Sequence, residues 1–235
     1  MAKINNVEIE TSYTRQQLKP NSVHKFKICL IGDGGVGKTT FINKVLNGVF
    51  ERRYIATQGA VTKDIVLCLG NNSYVNYEVW DTAGQEKYVG LRDGYYVGAV
   101  AGFFFVDVNS RETFGTLSKH IKSFLNACGT ENPKLIICAN KFDLCKKPQF
   151  MKLIPNYTRG YDVEVIQISG KTGLNYDKPF LSLTRDLYND PTITLTADIS
   201  MEALPNDYDF VQTADDAKNL EDAQQAAAFK PEDLQ

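Results

Sequence analysis

The sequence predicts an α/β fold in which a mostly parallel sheet is covered by helices on both faces. Two observations support this. Short apolar runs of strand length alternate with longer segments of helical periodicity over residues 24–190. The apolar runs are nearly continuous, as in strands that are buried on both faces. Ligands of such sheets bind at the carboxyl ends of the strands, so residues that follow predicted strands are the candidate site.

Six segments have the apolar, β-branched or aromatic composition of strands. Phe26–Ile31 is the first and precedes a glycine-rich loop. A turn at Gly70-Asn71-Asn72 separates the second from the alternating segment Tyr74–Trp80, which ends at Asp81. The predicted strands are residues 26–31, 61–69, 74–81, 99–106, 134–139 and 163–168.

Three segments have the apolar spacing of helices. Residues 41–46 follow the glycine-rich loop, and Asn47-Gly48 is a helix-stop signal. Residues 111–128 follow Ser110, a residue type that caps helix N-termini. Residues 176–188 form the last helix of the alternation.

Before this α/β unit, residues 1–23 are polar and lack a clear period, which predicts a flexible extension.

A glycine-rich loop joins the first predicted strand to the first predicted helix. Gly32-Asp33-Gly34-Gly35-Val36-Gly37-Lys38-Thr39 matches G-x-x-x-x-G-K-[ST] in the strand–loop–helix context that this motif requires. The glycines let successive N–H groups converge on anionic oxygens, and the helix N-terminus adds partial positive charge. We therefore expect Lys38 to reach the β- and γ-phosphates of a nucleotide and the Thr39 hydroxyl to ligate Mg²⁺.

A second motif, Asp81-Thr82-Ala83-Gly84-Gln85-Glu86, ends the third predicted strand. An acidic residue at a strand end near a phosphate loop can hold a magnesium ion, which assigns Asp81 to the metal. Gly84 has no side chain, so its N–H can approach a terminal phosphate. Gln85 can both donate and accept a hydrogen bond, as the positioning of an attacking water requires.

The predicted strand over residues 134–139 is followed by Asn140-Lys141-Phe142-Asp143, an N-K-x-D motif. The Asp143 carboxylate can accept hydrogen bonds from N1–H and the 2-amino group of guanine. Adenine would leave it unpaired, and such a mismatch is worth roughly 10⁴-fold in discrimination. The stem of Lys141 can cover one face of the base, and the backbone of Ser169-Gly170-Lys171 can contact the guanine O6. Together, the motifs predict a guanine-nucleotide site.

With these residues the chain resembles the Ras superfamily of small GTPases, and within it the Ran subfamily of nuclear-transport GTPases, as a divergent member. The similarity spans about residues 24–230. The resemblance implies a three-layer P-loop GTPase fold (G domain) with a mostly parallel six-stranded sheet, followed by a C-terminal linker and helix. The strings that resemble Ran in particular are Gly32–Gly35, Gly37–Phe41, Gln85–Tyr96, Lys178–Leu181 and Asp190-Pro191.

The resemblance also implies site roles. It makes Thr57 the switch I threonine, which ligates the metal only when a γ-phosphate is present. The metal ligands are then Thr39, Thr57 and Asp81, and the catalytic residues are Gln85, Lys38 and Thr57. The predicted nucleotide contacts are Asp33, Gly34, Gly35, Val36, Gly37, Lys38, Thr39, Thr40, Gly84, Asn140, Lys141, Asp143, Ser169, Gly170 and Lys171.

The ligands implied by the resemblance are GTP, GDP and Mg²⁺, with slow hydrolysis that an activating protein accelerates by about 10⁵-fold. The implied partners are importin- and exportin-type transport receptors, a chromatin-associated exchange factor, a GTPase-activating protein and an import carrier for the GDP form. The implied locations are the nucleus and the cytoplasm.

The C-terminal region departs from the Ran pattern. We expect a linker over residues 191–206, a helix over 207–229 and a short tail over 230–235. The helix is either a weak solvated helix or one that docks on the core in one nucleotide state. The tail carries only Glu232 and Asp233 as acidic residues, so docking is expected to depend little on charge. Gly170 stands where Ran has alanine.

Composition limits the alternatives. The chain has 235 residues, of which 43% are hydrophobic and 23% charged, and its net charge of −2 gives no nucleic-acid or membrane signal. The longest apolar run, Val97–Val106, is too short to span a bilayer. We therefore expect no direct membrane anchor and no direct nucleic-acid binding. The five cysteines lack paired metal spacing and are read as reduced thiols.

Three rivals remain open. A Rab-like trafficking GTPase would normally end in prenylatable cysteines, whereas the last cysteine here is Cys145. A nucleotide-bound interaction module with negligible turnover is disfavoured by the presence of Gln85 and Thr57. A P-loop kinase is disfavoured by the N-K-x-D motif in combination with Asp81–Glu86.

Overall fold

The computed structural model describes residues 22–47, 57, 59–69, 73–83, 94–145, 148–195 and 209–211. Its strands are β1 (Ser22–Ile31), β2 (Ala60–Cys68), β3 (Tyr74–Thr82), β4 (Ala101–Asp107), β5 (Lys134–Asn140), β6 (Glu164–Gln167) and β7 (Asp209–Val211). Its helices are α1 (Lys38–Asn47), α2 (Arg111–Gly115), α3 (Leu117–Ala127), α4 (Ile154–Tyr157) and α5 (Lys178–Tyr188), with 3₁₀ turns at Phe142–Leu144 and Pro148–Leu153. No helix within these ranges has the length and apolar character needed to cross a membrane.

The sheet follows the predicted parallel arrangement. Its main path runs β2-β3-β1-β4-β5-β6, and every neighbouring pair is parallel except the antiparallel pair β2–β3. The pair β1–β3 is in register from His24 with Val75 to Leu30 with Asp81. The long central strand β1 therefore delivers the phosphate loop to the same edge of the sheet as Asp81.

Helices cover both faces of this sheet. In β1, alternate residues Phe26, Ile28 and Leu30 belong to one buried cluster, whereas Cys29 and Ile31 belong to another. On the first face, Phe41 of α1 and Phe180 of α5 stack with ring centroids 5.9 Å apart. On the second face, Phe124 of α3 meets Phe104 edge-on at 5.7 Å. This double burial explains the nearly continuous apolar strands.

The predicted helix over residues 111–128 is broken at Thr116 into α2 and α3. Gly115 is a weak helix former. The Thr116 hydroxyl donates to the Asp33 carboxylate at 2.7 Å and also lies 3.2 Å from the Thr113 carbonyl oxygen of α2. Ser110 was predicted as the N-cap, but its side chain makes no capping bond. The Thr113 hydroxyl links the turn instead, because it donates to the Ser110 carbonyl oxygen at 2.8 Å.

At residues 209–211 the structure differs from the helix predicted over residues 207–229. Asp209–Val211 forms β7, which pairs in parallel with Ser22–His24 of β1. The physical reason is an available edge: β4 pairs with β1 only from Ile28 onward, and Phe210 and Val211 are good strand formers. Residues 212–229, and the N-terminal extension before Ser22, lie outside the described part of the chain.

Candidate functional site

The predicted motifs meet at the carboxyl edge of the sheet. The phosphate loop joins β1 to α1, Asp81 lies near the end of β3, Asn140 ends β5, and Ser169 follows β6. These elements are neighbours in the sheet or pack on it, so residues more than 100 positions apart become adjacent. The loop and the N-K-x-D motif are joined directly, because Asn140 Nδ2 donates to the Val36 carbonyl oxygen at 2.8 Å.

Two glycines give the phosphate loop its shape. Gly32 has φ +141°, and a Cβ there would lie 2.5 Å from the Phe105 carbonyl oxygen. Gly37 has φ +98°, and a Cβ there would lie 2.4 Å from Asn140 Nδ2. Both positions combine a left-handed backbone with contact against a neighbouring element, so only glycine fits. The loop is thus pressed against β4 and against the N-K-x-D motif.

Lys38 is buried, at 6% exposure, at the start of α1. Its Nζ donates to the carbonyl oxygens of Gly32 at 2.7 Å and Asp33 at 2.9 Å. These bonds fold the side chain back across the loop and hold the ammonium group against it. The cation therefore lies where the N-terminal end of α1 and the loop N–H groups also favour negative charge.

Three oxygen-bearing side chains meet beside the loop. Thr39 Oγ1 donates to Asp81 Oδ2 at 2.6 Å and lies 2.8 Å from Thr57 Oγ1. Asp81 is buried, and its Oδ1 has no hydrogen-bond partner among the residues that the structure describes. Burial raises the pKa of Asp81, against the opposing effects of the Thr39 hydroxyl and of Lys38 and Lys63.

These three residues fit a magnesium ion. Mg²⁺ prefers hard oxygen ligands, commonly one or two carboxylates together with hydroxyls, waters and substrate phosphates. A bound cation would satisfy the unpartnered Asp81 Oδ1 and relieve the cost of burying its charge. The structure thus brings together all three predicted metal ligands, Thr39, Thr57 and Asp81.

The N-K-x-D motif is held by contacts on several sides. The Gly170 N–H donates to Asn140 Oδ1 at 3.1 Å, and Ser169 Oγ donates to Asp143 Oδ1 at 2.7 Å. Asn140 thus bridges the phosphate loop and the loop after β6. Lys141 has φ +63° and forms an ion pair with Asp107 at 2.8 Å. These contacts fix the shape of the motif, and the Asp143 side chain is exposed.

Sequence reasoning missed two contributions to this site. Asp107, at the end of β4, anchors Lys141; its position after an apolar strand was a signal of the kind used for Asp81. The side chains of Thr116 and His120 bind the Asp33 carboxylate, and no local pattern marked them. Among the predicted residues, Gly84 and Gln85 lie outside the described part of the chain. Gly34 and Lys171 are exposed, and Thr40 is half-buried in α1.

Comparison with known proteins agrees with this arrangement. The Ras family model matches residues 27–189, and the chain belongs to the Ras family. It is 40% identical over 209 residues to the GTP-binding nuclear protein GSP1 of Encephalitozoon cuniculi (strain GB-M1), an alignment that covers 88% of this chain and 97% of that protein. The Ran-like resemblance and the P-loop GTPase fold are confirmed, and the chain is a small GTPase that hydrolyses GTP to GDP.

Proposed function

We propose that this protein is a Ran-like molecular switch of nucleocytoplasmic transport, whose GTP and GDP forms engage different partners. The observation that supports it best is the meeting of Thr39, Thr57 and Asp81 beside Lys38. This is the arrangement expected for a metal and phosphate site whose switch I threonine changes its contacts with the nucleotide. Asn140 couples the site to the guanine-recognition motif.

Each side chain has a role in the proposed chemistry. Lys38, held against the loop, stabilises charge on the β- and γ-phosphate oxygens. Gln85 orients the attacking water by donating and accepting hydrogen bonds. Thr39, Thr57 and Asp81 would hold Mg²⁺, which would supply positive charge beside the phosphate oxygens. Asp143 reads the guanine edge, and the Lys141 stem covers the base.

The partner classes follow from the Ran resemblance. We propose importin- and exportin-type receptors for the GTP form and an import carrier for the GDP form. A chromatin-associated exchange factor and a GTPase-activating protein complete the cycle, and the protein moves between nucleus and cytoplasm. The similar GSP1 protein is itself called GTP-binding and nuclear, which supports this placement.

Two experiments test the proposal. Single-turnover hydrolysis of GTP, measured with and without an activating protein, is expected to be stimulated in the wild type. Gln85→Leu should retain nucleotide binding and lose stimulated hydrolysis, because leucine cannot hydrogen-bond the water. Stimulated turnover at the wild-type rate in this variant would exclude Gln85 from that role.

The second experiment is a pull-down from cell extract with protein loaded with GDP or with a non-hydrolysable GTP analogue. Importin-type receptors should be recovered only with the analogue-loaded protein. Equal recovery from both forms would contradict a transport switch and would favour a module without nucleotide-dependent partners.

A further inference from the structure

The phosphate loop has one acidic side chain, Asp33, within the motif Gly32–Thr39. A free carboxylate there would repel nucleotide phosphates, and it would compete with them for the N–H groups of the loop. In the structure this side chain turns toward the helices that follow β4. Asp33 Oδ2 accepts a hydrogen bond from Thr116 Oγ1 at 2.7 Å, and Asp33 Oδ1 lies 2.8 Å from His120 Nε2.

The proton in the His120 contact can be assigned. Partial burial of Asp33 opposes its ionisation, but bonds from His120 and Thr116 and the charges of His120 and Lys38 outweigh it, so the pKa of Asp33 is lowered. The carboxylate is therefore ionised at neutral pH and can only accept hydrogen bonds. His120 Nε2 must carry the proton and donate it to Asp33.

His120 is itself firmly placed. Its side chain is buried, and its neighbours on the same helix, Leu117, Ile121 and Phe124, belong to the core on that face of the sheet. A donor fixed by core packing holds its acceptor in one position, unlike an exposed side chain that samples several rotamers. Through its contact with Asp33, His120 therefore fixes the position of the phosphate loop relative to α3.

The glycines of the phosphate loop give its backbone many accessible conformations. Gly35 and Gly37 adopt φ +75° and +98°, and glycine loses more conformational entropy on ordering than any other residue. Lys38 holds the Asp33 carbonyl oxygen from one side, while His120 and Thr116 hold its carboxylate from the other. Contacts within the protein thus hold both the carbonyl oxygen and the carboxylate of Asp33. Such ordering reduces the entropy that binding must overcome.

We propose that His120 is a positioning residue for nucleotide binding: by holding the Asp33 carboxylate, it keeps the acidic group away from the phosphates and fixes the phosphate loop in its binding shape. This inference rests on the nucleotide site proposed above. Thr116, at the junction of α2 and α3, is its partner in the same role. In the chain, Asp33 is separated from Thr116 by 83 positions and from His120 by 87 positions.

The test is the dissociation rate of fluorescently labelled GDP, in the presence of Mg²⁺, from the full chain. His120→Leu retains side-chain volume and removes the donor; GDP release should accelerate about tenfold, the effect of losing one hydrogen bond to a charged acceptor. His120→Gln can place an amide donor near the position of Nε2, and it should return the rate to within about threefold of wild type. Thr116→Val should accelerate release independently.

The matched control is Ile121→Val in the same helix. It lowers thermal stability through the core and does not touch the loop, so GDP release should stay within about twofold of wild type. Equal acceleration by Ile121→Val, or no rescue by His120→Gln, would show that His120 acts only through helix stability and would overturn the proposal. A rate for His120→Leu within twofold of wild type would also overturn it. Failure of the wild type to bind GDP would instead refute the nucleotide site itself.

Discussion

Replacing Asp143 with asparagine should exchange the base preference of the site. The Asp143 carboxylate is exposed and oriented by Ser169 Oγ at 2.7 Å, and it would accept from N1–H and the 2-amino group of guanine. Each hydrogen bond to a charged group contributes about 1.5–3 kcal/mol. Two such bonds correspond to about 3–6 kcal/mol, or about 10²- to 10⁴-fold in affinity.

Asparagine has an NH₂ group that donates and a carbonyl oxygen that accepts. It can therefore donate to the xanthine O2, whereas guanine presents a donor of its own at that position. We therefore expect Asp143→Asn to lose about 10²- to 10⁴-fold in affinity for GDP and to gain affinity for xanthosine diphosphate. The assay is displacement of a fluorescent nucleotide by each diphosphate, on wild type and variant, at fixed Mg²⁺.

Ser169→Ala is the matched control for this experiment. It removes the bond that orients Asp143 and the bond from the Thr172 N–H to Ser169 Oγ, but it leaves the carboxylate charge. GDP affinity should fall by about tenfold or less, with no gain for xanthosine diphosphate. A preference of Asp143→Asn for guanine by the wild-type margin would refute base reading by Asp143. A switch in Ser169→Ala would assign the specificity to the loop after β6.

Four further predictions concern two glycine positions, the metal site and the C-terminal segment. Gly37→Ala should abolish tight nucleotide binding, because its Cβ would lie 2.4 Å from the amide nitrogen of the N-K-x-D asparagine. Gly170→Ala should stabilise the fold by about 0.4–1 kcal/mol, because the nearest atom to its Cβ would lie at 3.5 Å; a fall in melting temperature would contradict this. Asp81→Asn should raise the melting temperature of the metal-free protein, by about 2–4 °C for each kcal/mol gained in the free energy of unfolding. It should also remove the stabilisation by Mg²⁺. Because burial raises the pKa of Asp81, the free-energy cost of burying its charge in the wild type grows as the pH rises through the folded-state pKa. If Asp81→Asn raised the melting temperature equally at every pH, burial of this charge would not be the cause. Deletion from Asp207 onward removes β7 and should raise the affinity of the GDP form for importin-type receptors in a binding assay. Deletion from Lys230 onward should change that affinity little. A larger effect of the shorter deletion would indicate that charge in the tail is responsible.

Much of the fold could be predicted because its signals are local. Strand composition in β1, β3, β4 and β5 reflects burial on both faces, and each strand needs only its own residues to show it. The phosphate loop, Asp81 and the N-K-x-D motif could also be recognised, because each is marked by residue types and spacing within a short stretch of chain. Thr57 was different: only the family resemblance separated it from an ordinary loop threonine, and the structure places its hydroxyl 2.8 Å from Thr39 Oγ1.

The remaining features depend on contacts between distant parts of the chain. At the break between α2 and α3, the Thr116 hydroxyl bonds Asp33, 83 positions away, and helical periodicity gives no sign of that contact. The segment 209–211 has helical spacing in its wider context, yet it forms a strand because β1 offers an unpaired edge there. The union of the phosphate loop with the N-K-x-D motif through Asn140 and Val36 spans 104 positions. The sequence by itself thus determined the alternating elements and the chemistry of each motif. The tertiary structure alone decided which side chains form hydrogen bonds to the phosphate loop, because such bonds form between groups that are close in space, whatever their separation along the chain.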